Sequence, residues 1–306
     1  MATTFTEMKK EEIIQKLKEV AKNSNIMLPS GIEFKIEGDK LIIDIPNEGI
    51  WANMQSNESA FEGWAFCLKA WLPDLIQKVL IRWKIPNEIN KGEKLHYERF
   101  KYRVWKFIET YEWAENGSLF DLDSYKEEHK EWILNFPINE AKKKTTGEEA
   151  LLERKFIETQ KANYDVINQQ LPVGVFDKEV KKENCVMPRG KSQIDIWAIK
   201  DMTLHIFELK TPKNAMIGII SELMYYVNII NDIKNQKIKY PTTAKESKYR
   251  NFDVLYNNLE KGNIKSIEGH FLTERLHPLI SDNVIALIND STLLNTNHVK
   301  YLYTVL

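Results

Sequence analysis

Asp195 and the triplet Glu208-Leu209-Lys210 are the residues whose types and spacing could do chemistry. Each lies in a short run with strand character, Gln193 to Ile199 and Leu204 to Lys210. Side chains alternate along a strand, so Glu208 and Lys210 share a face with Leu204 and Ile206. A turn centred between Asp201 and Met202 sets Asp195 opposite Glu208, Gln193 opposite Lys210 and Trp197 opposite Ile206. Opposed residues have Cβ atoms about 4.5–5.5 Å apart, close enough for two carboxylates to hold one cation. Two such anions repel unless positive charge compensates them. Lys210 supplies part of that charge, and a divalent ion would supply the rest.

The same three residue types could form a solvated salt bridge on a surface hairpin, but their neighbours point elsewhere. Ile194, Ile196 and Ala198 line one side, and Trp197, Ile199, Leu204 and Ile206 the other. Strands apolar on both faces are normally covered on both. Charges inside a covered sheet are commonest at functional sites.

The elements that must position these residues read as follows. Residues 148 to about 168 predict a helix, leading to a short strand at 173–176 and then the hairpin. A strongly apolar helix over 215–231 follows, carrying Glu222 and Tyr226 at a spacing of i, i+4. Beyond a lysine-rich connection and a helix, a strand is expected at 267–272, a helix at 282–288 and a strand at 300–306. Upstream, an amphipathic helix (8–22), a hairpin turning at Gly38-Asp39, and helices over 60–71, 95–115 and 125–135 are expected. The lysine run Lys142–Lys144 marks the best boundary. The chain is thus read as residues 1–140, a mostly helical domain with a β-hairpin serving recognition, partner binding or oligomerisation, and residues 141–306, an α/β (α+β) domain with a mixed sheet.

An acidic residue on one strand, then Glu-Leu-Lys on the next, then a helix resembles the PD-(D/E)XK nuclease superfamily. The resemblance covers roughly residues 148 to 230; Ile194 stands where many members have proline. It implies a restriction-endonuclease-like mixed sheet flanked by helices. It also implies a divalent-metal-dependent endonuclease cleaving DNA phosphodiesters, with RNA as an alternative substrate. Asp195, Glu208 and the Leu209 carbonyl would then ligate Mg²⁺ (or Mn²⁺), and Lys210 would act beside the attacking water. A further glutamate from the preceding helix is a family habit; Glu153 and Glu149 both qualify, with Glu153 favoured because it is nearer the first strand. Restriction or antiviral defence, homodimerisation and a helicase or other defence partner chain follow from family habit alone. A non-catalytic nucleic-acid-binding or assembly subunit keeping the same fold is the alternative from another class.

Composition narrows the rest. Lys and Arg total 43 against 44 Asp and Glu, so any nucleic-acid surface must be local. The basic run Lys234, Lys237, Lys239, Lys245, Lys248 and Arg250 is the candidate for it. Two cysteines suit a reducing compartment and exclude a disulfide scaffold, and the six histidines show no zinc-ligand spacing. Without an apolar leader or a stretch long enough to span a bilayer, a cytoplasmic protein with no membrane contact is expected.

Overall fold

A computed structural model describes residues 7–127, 131–138, 147–189, 192–214 and 216–306. The boundary expected around Lys142–Lys144 lies outside the described residues.

The chain begins with β1 (Glu7–Lys9), α1 (Lys10–Ala21), β2 (Glu33–Glu37), β3 (Lys40–Ile45), α2 (Asn47–Trp51) and α3 (Phe61–Trp71). β4 (Lys78–Trp83), α4 (Lys91–Thr110), β5 (Ala114–Asn116), α5 (Leu122–Glu127) and β6 (Trp132–Leu134) follow. Next come α6 (Glu148–Gln160), β7 (Val166–Pro172), β8 (Val175–Asp177), β9 (Gln193–Lys200), β10 (Thr203–Leu209) and α7 (Gly218–Lys234). α8 (Phe252–Glu260), β11 (Ser266–Leu272), α9 (Asp282–Asn289), α10 (Thr292–Asn297) and β12 (Val299–Thr304) complete it.

These elements form two compact units. One comprises Met1–Lys126, Met216–Ser221 and His277–Leu293; the other comprises Glu127–Ala215, Glu222–Leu276 and Leu294–Leu306. In the first unit the expected hairpin, β2–β3, is part of a five-stranded sheet ordered β1-β2-β3-β4-β5. β4 and β5 run parallel to their neighbours, a pairing that local sequence does not announce. α4 starts on Asn90, whose side chain accepts from the Gly92 and Glu93 N–H groups and satisfies the first turn. Inside this unit Arg103 is buried and forks onto Glu62 while also donating to the Ser59 carbonyl; Ser221 Oγ donates to Glu62 Oε2 at 2.7 Å. Phe61 and Phe66 of α3 and Phe100 and Phe107 of α4 are fully buried and form part of its core.

In the second unit the sheet order is β12-β11-β10-β9-β7. β9 is antiparallel to both β7 and β10, whereas β10, β11 and β12 run parallel. The β9–β10 register pairs Trp197 with Ile206, as anticipated, and Ile196 with Phe207 beside them. Asp201 and Met202 both have positive φ, 47° and 64°, the geometry of a tight two-residue hairpin turn. α6 covers one face through Phe156, which packs with Ile196, Ala198, Phe207, Leu209 and Leu272. α7 covers the other: a Cβ on Gly269 of β11 would stand 2.8 Å from Val227 Cγ2 of α7. The architecture is mixed α/β.

Two expected elements differ. The helix from 148 ends at Gln160, and β7 occupies residues assigned to its tail. β7 is an outer strand bearing Asn168, Gln169 and Gln170, so it lacks the apolar alternation of an inner one. The helix expected over 125–135 is instead the end of α5 and the short strand β6. Among the described residues no helix is long and apolar enough to cross a membrane.

Candidate functional site

Asp195 sits on β9 one position beyond the last paired residues, Ile196 and Phe207, and so level with Glu208 at the end of β10. Its Oδ2 accepts the Leu209 backbone N–H at 2.9 Å, which fixes the carboxylate against the neighbouring strand. Glu208 is 1% exposed and Lys210, just past the strand end, 6%. The Lys210 ammonium bonds to Glu208 Oε1 and lies 3.0 Å from Glu222 Oε2 of α7. Tyr226, one turn further along α7, donates to Glu222 Oε1 at 3.1 Å. Alternation along β10 therefore points Glu208 at α7, and Glu222, in the apolar first half of that helix, completes the cluster.

Positive charge is short here. Burial lifts the Asp195 carboxyl to about 7, Lys210 pulls it back and Glu222 adds to the rise. Burial, then the charges of Asp195 and Glu222, push Glu208 well above the carboxylate range despite Lys210. Desolvation opposes the Lys210 ammonium, but Glu208, Glu222 and Asp195 outweigh it and hold the amine protonated. Tyr226 is pushed up by burial and by Glu222, so its hydroxyl stays a donor. One ammonium thus faces three acids, a deficit that a divalent cation would correct.

The helix glutamates separate clearly. Glu153 of α6 is buried, and its Oε2 has no hydrogen-bond partner among the described residues. Burial and the charge of Asp195 raise its carboxyl to about 7. Glu149 is only half-buried. Glu208 Oε2 is likewise buried without a hydrogen-bond partner, so two carboxylate oxygens in this region have unused acceptor capacity. Lys210 contacts both Glu208 and Glu222. The described residues that already converge as three metal-donor side chains are His205, Glu268 and His270, which histidine spacing alone did not reveal.

The basic run is divided. Lys237, Lys239, Lys245 and Lys248 are exposed. Lys234 donates to the Asn297 carbonyl at 2.9 Å, and Arg250 donates to the Gln169 and Gln170 carbonyls at 3.1 Å. Those last two cations are occupied in holding the fold, Arg250 at the point where Gln170 bends β7 through a φ of 54°.

Glu222 joins the site through its contact with Lys210, and Tyr226, four residues on, through its bond to Glu222. Searches against family profiles, curated proteins and solved structures found no match to this chain.

Proposed function

We propose that the protein is a divalent-metal-dependent phosphodiesterase of the PD-(D/E)XK type acting on DNA. The observation that carries this is the meeting of half-buried Asp195 with buried Glu208 and Lys210 at the open end of an antiparallel strand pair, with more acid than base around it. The succession of α6, antiparallel β7, β9 and β10, then α7 and a parallel β11 supports the same reading, since a restriction-endonuclease-like core has that order of elements.

The donor set fits the implied ion. Asp195 and Glu208 offer the hard oxygen ligands that Mg²⁺ or Mn²⁺ prefers, joined by the Leu209 carbonyl, and Glu208 Oε2 has an acceptor position to spare. Such an ion, when bound, would acidify a water and offset charge on the scissile phosphate. Lys210, held protonated by its neighbours, contributes fixed positive charge where a pentavalent phosphorane would develop negative charge. Glu222 orients that ammonium, and Tyr226 orients Glu222. Glu153, with a carboxyl near neutrality, is suited to accept a proton from an attacking water. The exposed lysines 237, 239, 245 and 248 would contact the phosphate backbone. A role in antiviral defence, with a partner chain or as a homodimer, belongs to the same proposal by family habit.

The test is cleavage of duplex DNA, single-stranded DNA and RNA by the full chain with Mg²⁺, Mn²⁺ or EDTA. Metal-dependent scission should vanish in Asp195→Asn and Lys210→Met variants that keep the wild-type circular dichroism spectrum. Equal cleavage by wild type and variants would overturn the assignment of this site, and a wild type that cleaves none of the substrates and takes up neither ion in calorimetry would favour the silent nucleic-acid-binding module instead.

A further inference from the structure

We propose that His205, Glu268 and His270 form a second metal site, for a borderline divalent transition ion of the zinc class, on the sheet face turned away from Glu208. β10 and β11 are parallel and in register, with His205 beside Glu268 and Phe207 beside His270. Residues 205, 268 and 270 therefore project to one face, while Glu208 and Gly269 project to the other. Three donor atoms meet there: His205 Nδ1 is 3.1 Å from His270 Nε2 and 3.2 Å from Glu268 Oε2, and His270 Nε2 is 3.6 Å from the same oxygen.

These separations match a coordination shell. Zinc–ligand bonds of about 2.0–2.1 Å set the donors of a tetrahedron about 3.3 Å apart. Two imidazoles and a carboxylate are the donor set of zinc-class ions, whereas Mg²⁺ favours an all-oxygen shell, so the two faces of the sheet would select different metals. The second ring nitrogen of His270, Nδ1, lies 2.9 Å from Thr304 Oγ1. A proton donated there leaves the Nε2 lone pair facing the shared point, the outer arrangement that metal-bound histidines use. Both histidines are buried, and the half-exposed Glu268 opens the cluster to solvent and to an entering ion. An ion here would clip β10, the strand that carries Glu208, to β11.

The rival arrangement is metal-free: one proton on His205 Nδ1, shared between His270 Nε2 and Glu268. The experiment is titration of the EDTA-stripped full chain with zinc chloride by calorimetry, and with cobalt chloride by visible absorption. We expect one zinc per chain, a rise in thermal midpoint, and cobalt d–d bands of nitrogen–oxygen coordination. Thr304→Val should weaken zinc about 10–100-fold, and His270→Ala and Glu268→Gln should weaken it further. Asp195→Asn, on the acidic site, should leave zinc binding intact. Wild-type protein that gives no saturable zinc uptake and no cobalt bands, a measurement that needs no variant to fold, would overturn the proposal. So would zinc binding unchanged in His270→Ala.

Discussion

The Lys210 ammonium lies 3.0 Å from Glu222 Oε2, joining the end of β10 to the second turn of α7. Because Lys210 also bonds to Glu208, removing it leaves two buried acids without their cation. Lys210→Met is expected to abolish cleavage and to cost about 3–5 kcal/mol at alkaline pH, the usual result of breaking a buried pair from one side. Urea denaturation at pH 8 measures it. Adding Glu208→Gln to that variant should recover part of the loss, since one orphaned charge is then gone.

Stability should depend on pH in a direction opposite to that of an ordinary salt-bridged acid. The Asp195 carboxyl moves from its usual value of 3.8 to about 7 on folding, and Glu153 from 4.5 to about 7. Between those limits the folded chain binds more protons than the unfolded one, so stability falls as pH rises through that window. Denaturation in EDTA across pH 4 to 8, within the span of those values, should show the decline. Asp195→Asn should flatten it, and millimolar Mg²⁺ should oppose it above neutrality by favouring the ionised form.

Glu153 and Glu149 make different predictions. Glu153 has a buried oxygen with no hydrogen-bond partner among the described residues, whereas Glu149 is half-buried. Glu153→Gln should slow single-turnover cleavage by about 10²-fold or more, the contribution typical of a general base. Glu149→Gln should change it little. Equal effects of the two substitutions would remove Glu153 from its assigned role.

Tyr226→Phe removes the hydroxyl that holds Glu222 Oε1 at 3.1 Å. A buried acceptor without its donor costs about 1–3 kcal/mol. The thermal midpoint should drop accordingly, and cleavage should weaken through misplacement of Lys210 rather than through metal affinity. Calorimetry with Mn²⁺ would separate the two effects.

Gly269→Ala tests the packing of α7 on the sheet. The added methyl would meet Val227 Cγ2 at 2.8 Å and the Tyr301 ring at 3.1 Å. Overpacking of this kind costs about 1–3 kcal/mol, readable as a lowered urea midpoint with unchanged slope.

The hairpin and its register were legible because the information is local: alternating apolar residues on either side of Asp201-Met202 allow one pairing that buries both faces. Asp195, Glu208 and Lys210 came with it. Glu222 was visible as a lone acid in an apolar helix, yet its bond to Lys210 depends on how α7 crosses the sheet. The convergence of His205 with His270 was not legible at all. It arises from a parallel pairing across an intervening helix-containing crossover, and no periodicity in either strand names its partner. Glu268-x-His270 on one strand beside a histidine in the Glu208 strand was the available signal. β4 and β5 of the first unit were hidden for the same reason: β4 pairs with β3 and β5 with β4, both in parallel. β7 was obscured by its polar residues, which an outer position tolerates.

The parallel pairing of β10 with β11 also orders events during folding. The β9–β10 hairpin can close within microseconds from neighbouring residues, whereas β11 must wait for the chain through α7 and α8 to loop back. Asp195 and Glu208 are thus brought together before Glu222 docks or the histidines converge. The two opposed carboxylates of the nascent hairpin repel each other, so divalent cations in the refolding buffer should speed its closure.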